Sequence, residues 1–131
     1  MVSVTVGDLE LTAEARTALG TLADALADLP QFAAFEQAGR RLGADEAAQA
    51  AIEAYQTNHR SVEPLLRLNA LGLDDRAELE RLETAIQAQD SVTAYDRAYA
   101  ELAQVFQAVA ARLSPRLGID YRAACRAGGC C

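Results

Sequence analysis

The sequence predicts an all-α fold of about five helices. Of its 131 residues, 51% are apolar but only 5% are aromatic, and much of the apolar fraction is alanine. Apolar residues recur at steps of three and four through most of the chain, which is the spacing of one helix face. Two of the predicted helices carry long heptad seams, and such a seam indicates that a helix lies along another helix. We therefore expect the two long helices to form an antiparallel hairpin within a helical bundle.

The first two predicted helices are short. Thr12 is suited to cap a first helix over residues 13–28, because its hydroxyl can accept a hydrogen bond from a free backbone N–H. The apolar stripe of this helix is Ala15, Leu19, Leu22, Leu26 and Leu29. Pro30 fits the first turn of a second helix, and Gly43 fits the position just beyond its end. The inner face of the second helix is Phe32, Phe35, Ala38 and Leu42.

A long third helix follows. Asp45 is suited to cap it, and the apolar periodicity continues to about Gly72. Its seam is Ala48, Ile52, Tyr55, His59, Val62, Leu66 and Asn69. Pro64 removes a backbone donor, so it should either kink the helix about one turn upstream or make the helix stop near Val62 and restart.

A fourth and a fifth helix complete the pattern. The fourth begins at Asp74, and its inward residues are Leu79, Leu82 and Ile86. Asp90 or Ser91 is suited to cap the fifth helix, which continues to about Leu117 and is stopped by Gly118. Its seam is Val92, Tyr95, Tyr99, Leu102, Phe106, Val109 and Leu113.

A core rich in alanine buries little apolar area, so a single chain would have a thin core. Long helices packed at short range, or a second chain, would complete it. We therefore predict a homo-oligomer, a dimer or higher, formed through the heptad faces. The residues expected to be buried, within one chain or between chains, are Tyr55, Val62, Leu66, Tyr99, Phe106 and Val109.

The predicted organisation is one helical domain over residues 1–117 and a tail over residues 118–131. Valine alternates with polar residues at the start of the chain, which predicts an extended segment over residues 1–11. This start lacks the basic region and apolar run of a signal peptide, and no apolar stretch reaches the ~20 residues that span a bilayer. We expect a cytoplasmic protein without membrane insertion.

The charge of the chain bears on its partners. All of its basic residues are arginine, which together with abundant alanine is typical of a GC-rich bacterial genome. The net charge is −7, whereas direct binding of nucleic acid needs a basic patch. We therefore expect protein partners and no direct contact with nucleic acid.

The sequence offers little for catalysis. His59 is the single histidine, and no nearby acid or thiol completes a site, so a hydrogen-bonded histidine in an interface is the better interpretation. Glu80 and Glu83 are one turn apart and could share a metal, but arginines are interleaved among the neighbouring acids and favour a salt-bridged, solvated face. The chain has no phosphate-binding glycine loop and no Ser/His/Asp set, so we predict that it is not an enzyme.

The end of the chain holds the candidate metal site. Its only cysteines, Cys125, Cys130 and Cys131, fall within the last seven residues. The spacing is compatible with zinc and with part of an iron–sulfur ligand set, and a fourth ligand would come from another chain, a histidine, a carboxylate or a small molecule. The alternatives are a frayed tail with incidental thiols and a disulfide between the two neighbouring cysteines.

The order of helices resembles the YlbF/YmcA family of small bacterial helical proteins that control competence and biofilm formation. The likeness covers residues 12–117 and is carried by two stretches, LADALADLPQFAAFEQAGRRLGADEAAQAAIEAY and NALGLDDRAELERLETAIQAQDSVTAYDRAYAELAQVF. In YlbF-like members, cysteines after the last helix help to ligate an iron–sulfur cluster, which by this resemblance implies Cys125, Cys130 and Cys131 as ligands here.

The resemblance also implies partners. Such proteins act in a complex with YmcA-like and YaaT-like proteins, which is linked to developmental regulation and directs ribonuclease Y to transcripts. The sequence therefore predicts a non-catalytic regulatory or adaptor protein of the YlbF type. The alternative is a redox sensor that acts alone through zinc or through its thiols.

Overall fold

The computed structural model describes residues 12–120 of the chain. This part of the chain contains five α-helices and no strand. They are α1 (Ala13–Ala27), α2 (Pro30–Ala44), α3 (Glu46–Arg67), α4 (Leu73–Gln87) and α5 (Asp90–Leu117). The all-α fold with five helices is therefore confirmed. The predicted extended segment 1–11 and residues 121–131 of the predicted tail lie outside the described residues.

Two helix ends lie where the local sequence predicts them. The hydroxyl of Thr12 accepts a hydrogen bond from the backbone N–H of Ala15 at 3.2 Å and so caps α1. Gly118 adopts a left-handed conformation with a φ of 66° and ends α5. Both features depend on a few neighbouring residues, which is why the sequence is sufficient to predict them.

The junction between α2 and α3 differs from the prediction. α2 continues through Gly43, and the single residue Asp45 both ends α2 and precedes α3. The Asp45 carboxylate accepts from the backbone N–H of Ala48 at 3.1 Å, so its predicted role as a cap is confirmed. No left-handed turn forms at Gly43, because the extended backbone of Asp45 makes the change of direction.

α3 is shorter than expected and is continuous through Pro64. It ends at Arg67 rather than near Gly72, and Asn69 in the following turn has a positive φ of 50°. Asparagine tolerates this left-handed conformation better than most residues, so the chain can reverse there. Pro64 therefore lies in the last turns of α3 and does not divide it near Val62.

The start of α5 also differs. Gln89 occupies the N-cap position without a side-chain hydrogen bond, so neither Asp90 nor Ser91 caps this helix. Ser91 is instead only 1% exposed, and its hydroxyl donates a hydrogen bond of 2.6 Å to the Asp45 carboxylate. Asp45 and Ser91 thus form a clasp that joins the α2–α3 junction to the first turn of α5.

The two long helices do not pair with each other as the heptad seams had suggested. α2 packs chiefly against α5 and α3 packs chiefly against α4, with few contacts between the two pairs. A heptad seam specifies an apolar face but not which helix covers it, and each long helix is covered by a short one. The chain therefore has two arms that meet at the clasp, an α2–α5 arm and an α3–α4 arm.

Aromatic contacts fix the register of the α2–α5 arm. The ring of Phe35 lies 5.3 Å from that of Tyr95 and 6.2 Å from that of Tyr99. A Cβ on Gly39 would lie 3.8 Å from the Tyr95 ring. With the clasp at the other end, these contacts define an antiparallel pair in which Pro30 lies opposite about residue 104 of α5. α5 therefore extends beyond α2 by its last three to four turns.

The core of the described residues is small. Its buried apolar side chains are Ala38, Ala48, Val62, Leu82, Val92, Ala98 and Leu102. Three of the seven are alanines, which remove little apolar area from water. One chain therefore forms the thin core that its composition predicts.

Loss of the clasp should loosen the corner between the arms. We expect Ser91→Ala to lower the free energy of unfolding by about 1 kcal/mol, because a buried hydroxyl and its charge-assisted hydrogen bond are removed. Urea denaturation followed by circular dichroism measures this change. Thr93→Ala is the matched control, since Thr93 is exposed on the same helical turn. An equal loss in both variants would contradict a role for the clasp.

The clasp should also make stability depend on pH. The hydrogen bond from Ser91, followed by that from the Ala48 N–H, lowers the pKa of Asp45. A carboxylate whose pKa is lower in the folded chain adds stability above its unfolded pKa of ~3.9, and this contribution is lost as the pH falls through the folded pKa. The stability difference between wild type and Asp45→Asn should therefore be full at pH 6 and shrink below pH 4. If the stability difference between the two proteins stays constant over this pH range, the ionised Asp45 carboxylate does not stabilise the fold.

Candidate functional site

The predicted ligands Cys125, Cys130 and Cys131 lie outside the described residues. Within residues 12–120, no group of three or more His, Cys, Asp or Glu side chains is placed to hold a metal ion. Ligation of a metal by the three thiols therefore stays a prediction.

His59 lies half-buried on α3. Its ring is 5.8 Å from that of Tyr55, and the two side chains line a shallow, open depression together with Gln56 and Arg60. None of these lining residues is an acid or a thiol. The surroundings of His59 therefore suit contact with a partner better than acid–base chemistry.

The acidic residues around α4 form a solvated face with an ion pair. Arg81 donates two hydrogen bonds to Glu78, at 2.9 and 2.7 Å. These bonds lower the pKa of the Glu78 carboxyl and raise that of the Arg81 guanidinium. Because both side chains are exposed, the pair orders the helix surface without creating a metal site.

Exposed apolar side chains are the most informative surface feature. Between residues 12 and 120, the large ones are Leu19, Leu22, Leu65, Leu66, Leu68, Leu73, Tyr99, Phe106, Leu113, Leu117 and Ile119. Of the seam residues expected to be buried, Val62 is buried within the chain, and Leu66, Tyr99 and Phe106 are exposed. Tyr55 and Val109 are partly exposed. Where such side chains lie next to one another in a contiguous patch, the patch is typical of a surface that binds a protein partner.

Most of these side chains form two groups. The first is the hairpin tip, where α3 turns into α4, and it consists of Leu65, Leu66, Leu68 and Leu73. The second is the terminal face at the end of α5, and it consists of Phe106, Leu113 and Leu117; Leu19 and Leu22 lie separately on α1. The sequence carries a signal for the tip in LLRLNALGL, in which five of nine residues are leucine across a turn, and helical periodicity alone did not draw attention to it.

The comparison with protein families decides the identity of the fold. The family model described as "Control of competence regulator ComK, YlbF/YmcA" matches residues 17–117. The chain belongs to the YlbF/YmcA family. The match covers nearly all of the five helices and ends before the cysteines, so the likeness rests on the helical domain. No curated protein and no solved structure gives a significant match.

Membership of the YlbF/YmcA family indicates the general function of the chain. The YlbF/YmcA family is described as one that controls the competence regulator ComK, so this is a member of a regulatory family. Among the described residues, no helix is long and apolar enough to cross a membrane.

Proposed function

We propose that this protein is a non-catalytic adaptor of the YlbF type, which assembles with other proteins through its exposed helix faces. The observation that carries the proposal is the leucine-rich surface of a member of a regulatory family. Leu68 and Leu73 are 75% and 85% exposed, although full burial of a leucine contributes about 1.5–3 kcal/mol. Burial of these side chains by a partner would therefore stabilise a complex.

The partners implied by the family are YmcA-like and YaaT-like proteins, and through them ribonuclease Y. An adaptor role in RNA processing or developmental regulation also agrees with the charge of this chain. With a net charge of −7, it would reach RNA through a partner rather than by binding phosphates itself. We also propose that the chain self-associates and acts in the cytoplasm.

The three thiols are proposed to hold an iron–sulfur cluster. Thiolates are the soft ligands that iron–sulfur clusters and zinc prefer, so Cys125, Cys130 and Cys131 suit either group. Another chain, a histidine, a carboxylate or a small molecule would supply the remaining ligand. The chemistry of the thiols here is to bind the group and to link two chains at it.

Copurification tests the adaptor proposal. Tagged chain, expressed without air together with the YmcA-like and YaaT-like proteins of the same genome, should elute with both as one species in size-exclusion chromatography with light scattering. Leu73→Glu should weaken the complex, whereas Ala100→Glu, an equally charged change at another exposed helix position, should not. Separate elution of all three wild-type proteins would overturn the proposal.

The second candidate is a stand-alone redox sensor that uses zinc or its thiols. The observation in its favour is that all three cysteines lie beyond the family match, at residues 125–131. Absorption of the anaerobically purified protein separates the two candidates. A broad band at the edge of the visible range that air bleaches supports the cluster, and a colourless protein with stoichiometric zinc supports the sensor.

A further inference from the structure

The corner between the two arms is built from two short connections. Asp45 alone separates α2 from α3, and Ala88 and Gln89 alone separate α4 from α5. Because α2 pairs with α5 and α3 pairs with α4, both connections cross from one arm to the other. They lie side by side, since Ser91 in the first turn of α5 reaches Asp45. Two neighbouring connections of this kind have the arrangement of a hinge, in which a few residues at the ends of helices absorb a rotation.

Little apolar packing fixes the angle at this corner. The helix pairs that cross between the arms, α2 with α3 and α4 with α5, are consecutive in the chain and make few contacts. The apolar side chains buried in the first turns of α3 and α5 are Ala48 and Val92, which are both small. Apolar attraction has no preferred direction, so these side chains hold the arms together without selecting one angle between them.

The Asp45 carboxylate has one oxygen for each arm. Its Oδ1 accepts a hydrogen bond from the backbone N–H of Ala48 in α3 at 3.1 Å, and its Oδ2 accepts from the hydroxyl of Ser91 in α5 at 2.6 Å. The backbone N–H of Asp45 donates to the carbonyl of Leu42 in α2 at 3.2 Å. One residue therefore joins the end of α2 to the first turns of α3 and α5. Since hydrogen bonds are directional, all three bonds are kept only within a narrow range of angles between the arms.

The bond from Ser91 resists a change of angle most strongly. Ser91 is only 1% exposed, so breaking this bond would leave a buried hydroxyl without water to replace the carboxylate. One further side-chain bond crosses the junction, from Nε2 of Gln49 in α3 to the carbonyl of Leu42 in α2 at 2.9 Å, but it is exposed and water competes for it.

We propose that the corner is a hinge between two arms that each keep their own packing, and that the clasp holds this hinge at one angle. Asp45 and Ser91 are then positioning residues, because the angle sets the distance between the hairpin tip and the terminal face. α3 has 22 residues, so the tip lies about 33 Å from the corner and a rotation of about 30° would displace it by about 17 Å. This displacement exceeds the width of a helix, which is about 10 Å.

Distances between pairs of spin labels, measured by pulsed electron paramagnetic resonance, test the hinge. The full-length chain carries serine in place of its three cysteines, so that only introduced cysteines are labelled. Labels at Ala77 on α4 and Ala100 on α5 span the hinge, and labels at Ala50 on α3 and Ala77 lie within one arm. All three positions are exposed. An excess of unlabelled chain keeps labels on neighbouring chains from contributing to the signal.

The intact clasp should give distance distributions of similar width for the two pairs. In Ser91→Ala and in Asp45→Ala, the distribution across the hinge should shift or broaden by at least about 5 Å, because a rotation of about 30° moves Ala77, about 18 Å from the corner, by about 9 Å. The distribution within the arm should not change. Thr93→Ala, an exposed position on the same turn as Ser91, should behave like the wild type.

Asp45→Asn is the conservative variant. Its amide oxygen can still accept from the Ala48 N–H, and its amide nitrogen can donate to the Ser91 hydroxyl, so both links are kept without the charge. We expect this variant to keep the wild-type distance across the hinge. A shift as large as in Asp45→Ala would overturn the geometric role of the clasp.

The other outcomes also decide the proposal. Unchanged distances in both Ser91→Ala and Asp45→Ala would show that the clasp does not set the angle. A broad distribution across the hinge in the wild type would show that the clasp does not hold one angle. Broadening within the arm, or loss of helix by circular dichroism, would show that the arms do not keep their own packing. None of these measurements involves a partner, so their failure would leave the adaptor proposal in place.

Discussion

Replacing Leu102 by aspartate is expected to separate α2 from α5 and to lower the free energy of unfolding by about 3–5 kcal/mol. Leu102 is 6% exposed and belongs to the same seam as Tyr95 and Tyr99, which contact Phe35 of α2. A carboxylate there has no partner and little water. Because small domains are stable by only about 5–15 kcal/mol, most of the folded population should be lost.

The matched control is Phe106→Asp, one helical turn farther along α5. Phe106 is exposed beyond the end of α2, so the same charge should cost less than about 1 kcal/mol in the single chain. Urea denaturation at low micromolar concentration, where association is minimal, compares the two variants. Equal losses would mean that α2 covers α5 along its whole length, against the register described above.

The triple substitution of Cys125, Cys130 and Cys131 by serine is expected to abolish iron or zinc binding and to leave the fold unchanged. Serine is a much poorer ligand than thiolate for either metal. The buried apolar residues of the described chain all lie between Ala38 and Leu102, so the cysteines come after the last of them. The melting temperature of the metal-free protein should therefore change by less than about 1 °C, since a shift of several degrees requires about 1 kcal/mol.

Metal analysis of protein prepared without air measures this result. Metal content of the wild type should also fall as the pH is lowered, because thiols must be deprotonated to bind. The control is Ser61→Ala, which removes a hydroxyl from the exposed surface of α3 and should leave metal content unchanged. Equal metal in the wild type and the triple variant would show that the cysteines are not ligands.

Some local features of the fold could be predicted from sequence, and the pairings of helices could not. Thr12, Pro30 and Gly118 act through their immediate neighbours, so their positions in the sequence are sufficient to place the helix ends. Asp45 was expected to cap α3, but its bond with Ser91 joins residues 46 positions apart and has no sequence signature. Which helix packs on each long helix likewise depends on contacts between residues that are far apart in the sequence.

The same limit applies to the candidate site. Leu102 and Phe106 occupy the same seam and look equivalent in sequence, yet one is buried and the other exposed. The difference arises because α2 has only 15 residues and begins opposite the point between them. Periodicity identifies an apolar face, whereas the position and length of the covering helix affect which part of that face is buried.

The clasp also has a consequence for the order of folding. α3 and α4 are joined by a short turn, so their pairing closes a small loop and should form early. α2 and α5 flank this hairpin in sequence, and once it has formed, the ends that must meet at Asp45 and Ser91 are already close. We therefore expect the α3–α4 arm to form first and to template the α2–α5 arm. Substitutions in α3 and α4 should then slow refolding, while those in α2 and α5 should mainly speed unfolding.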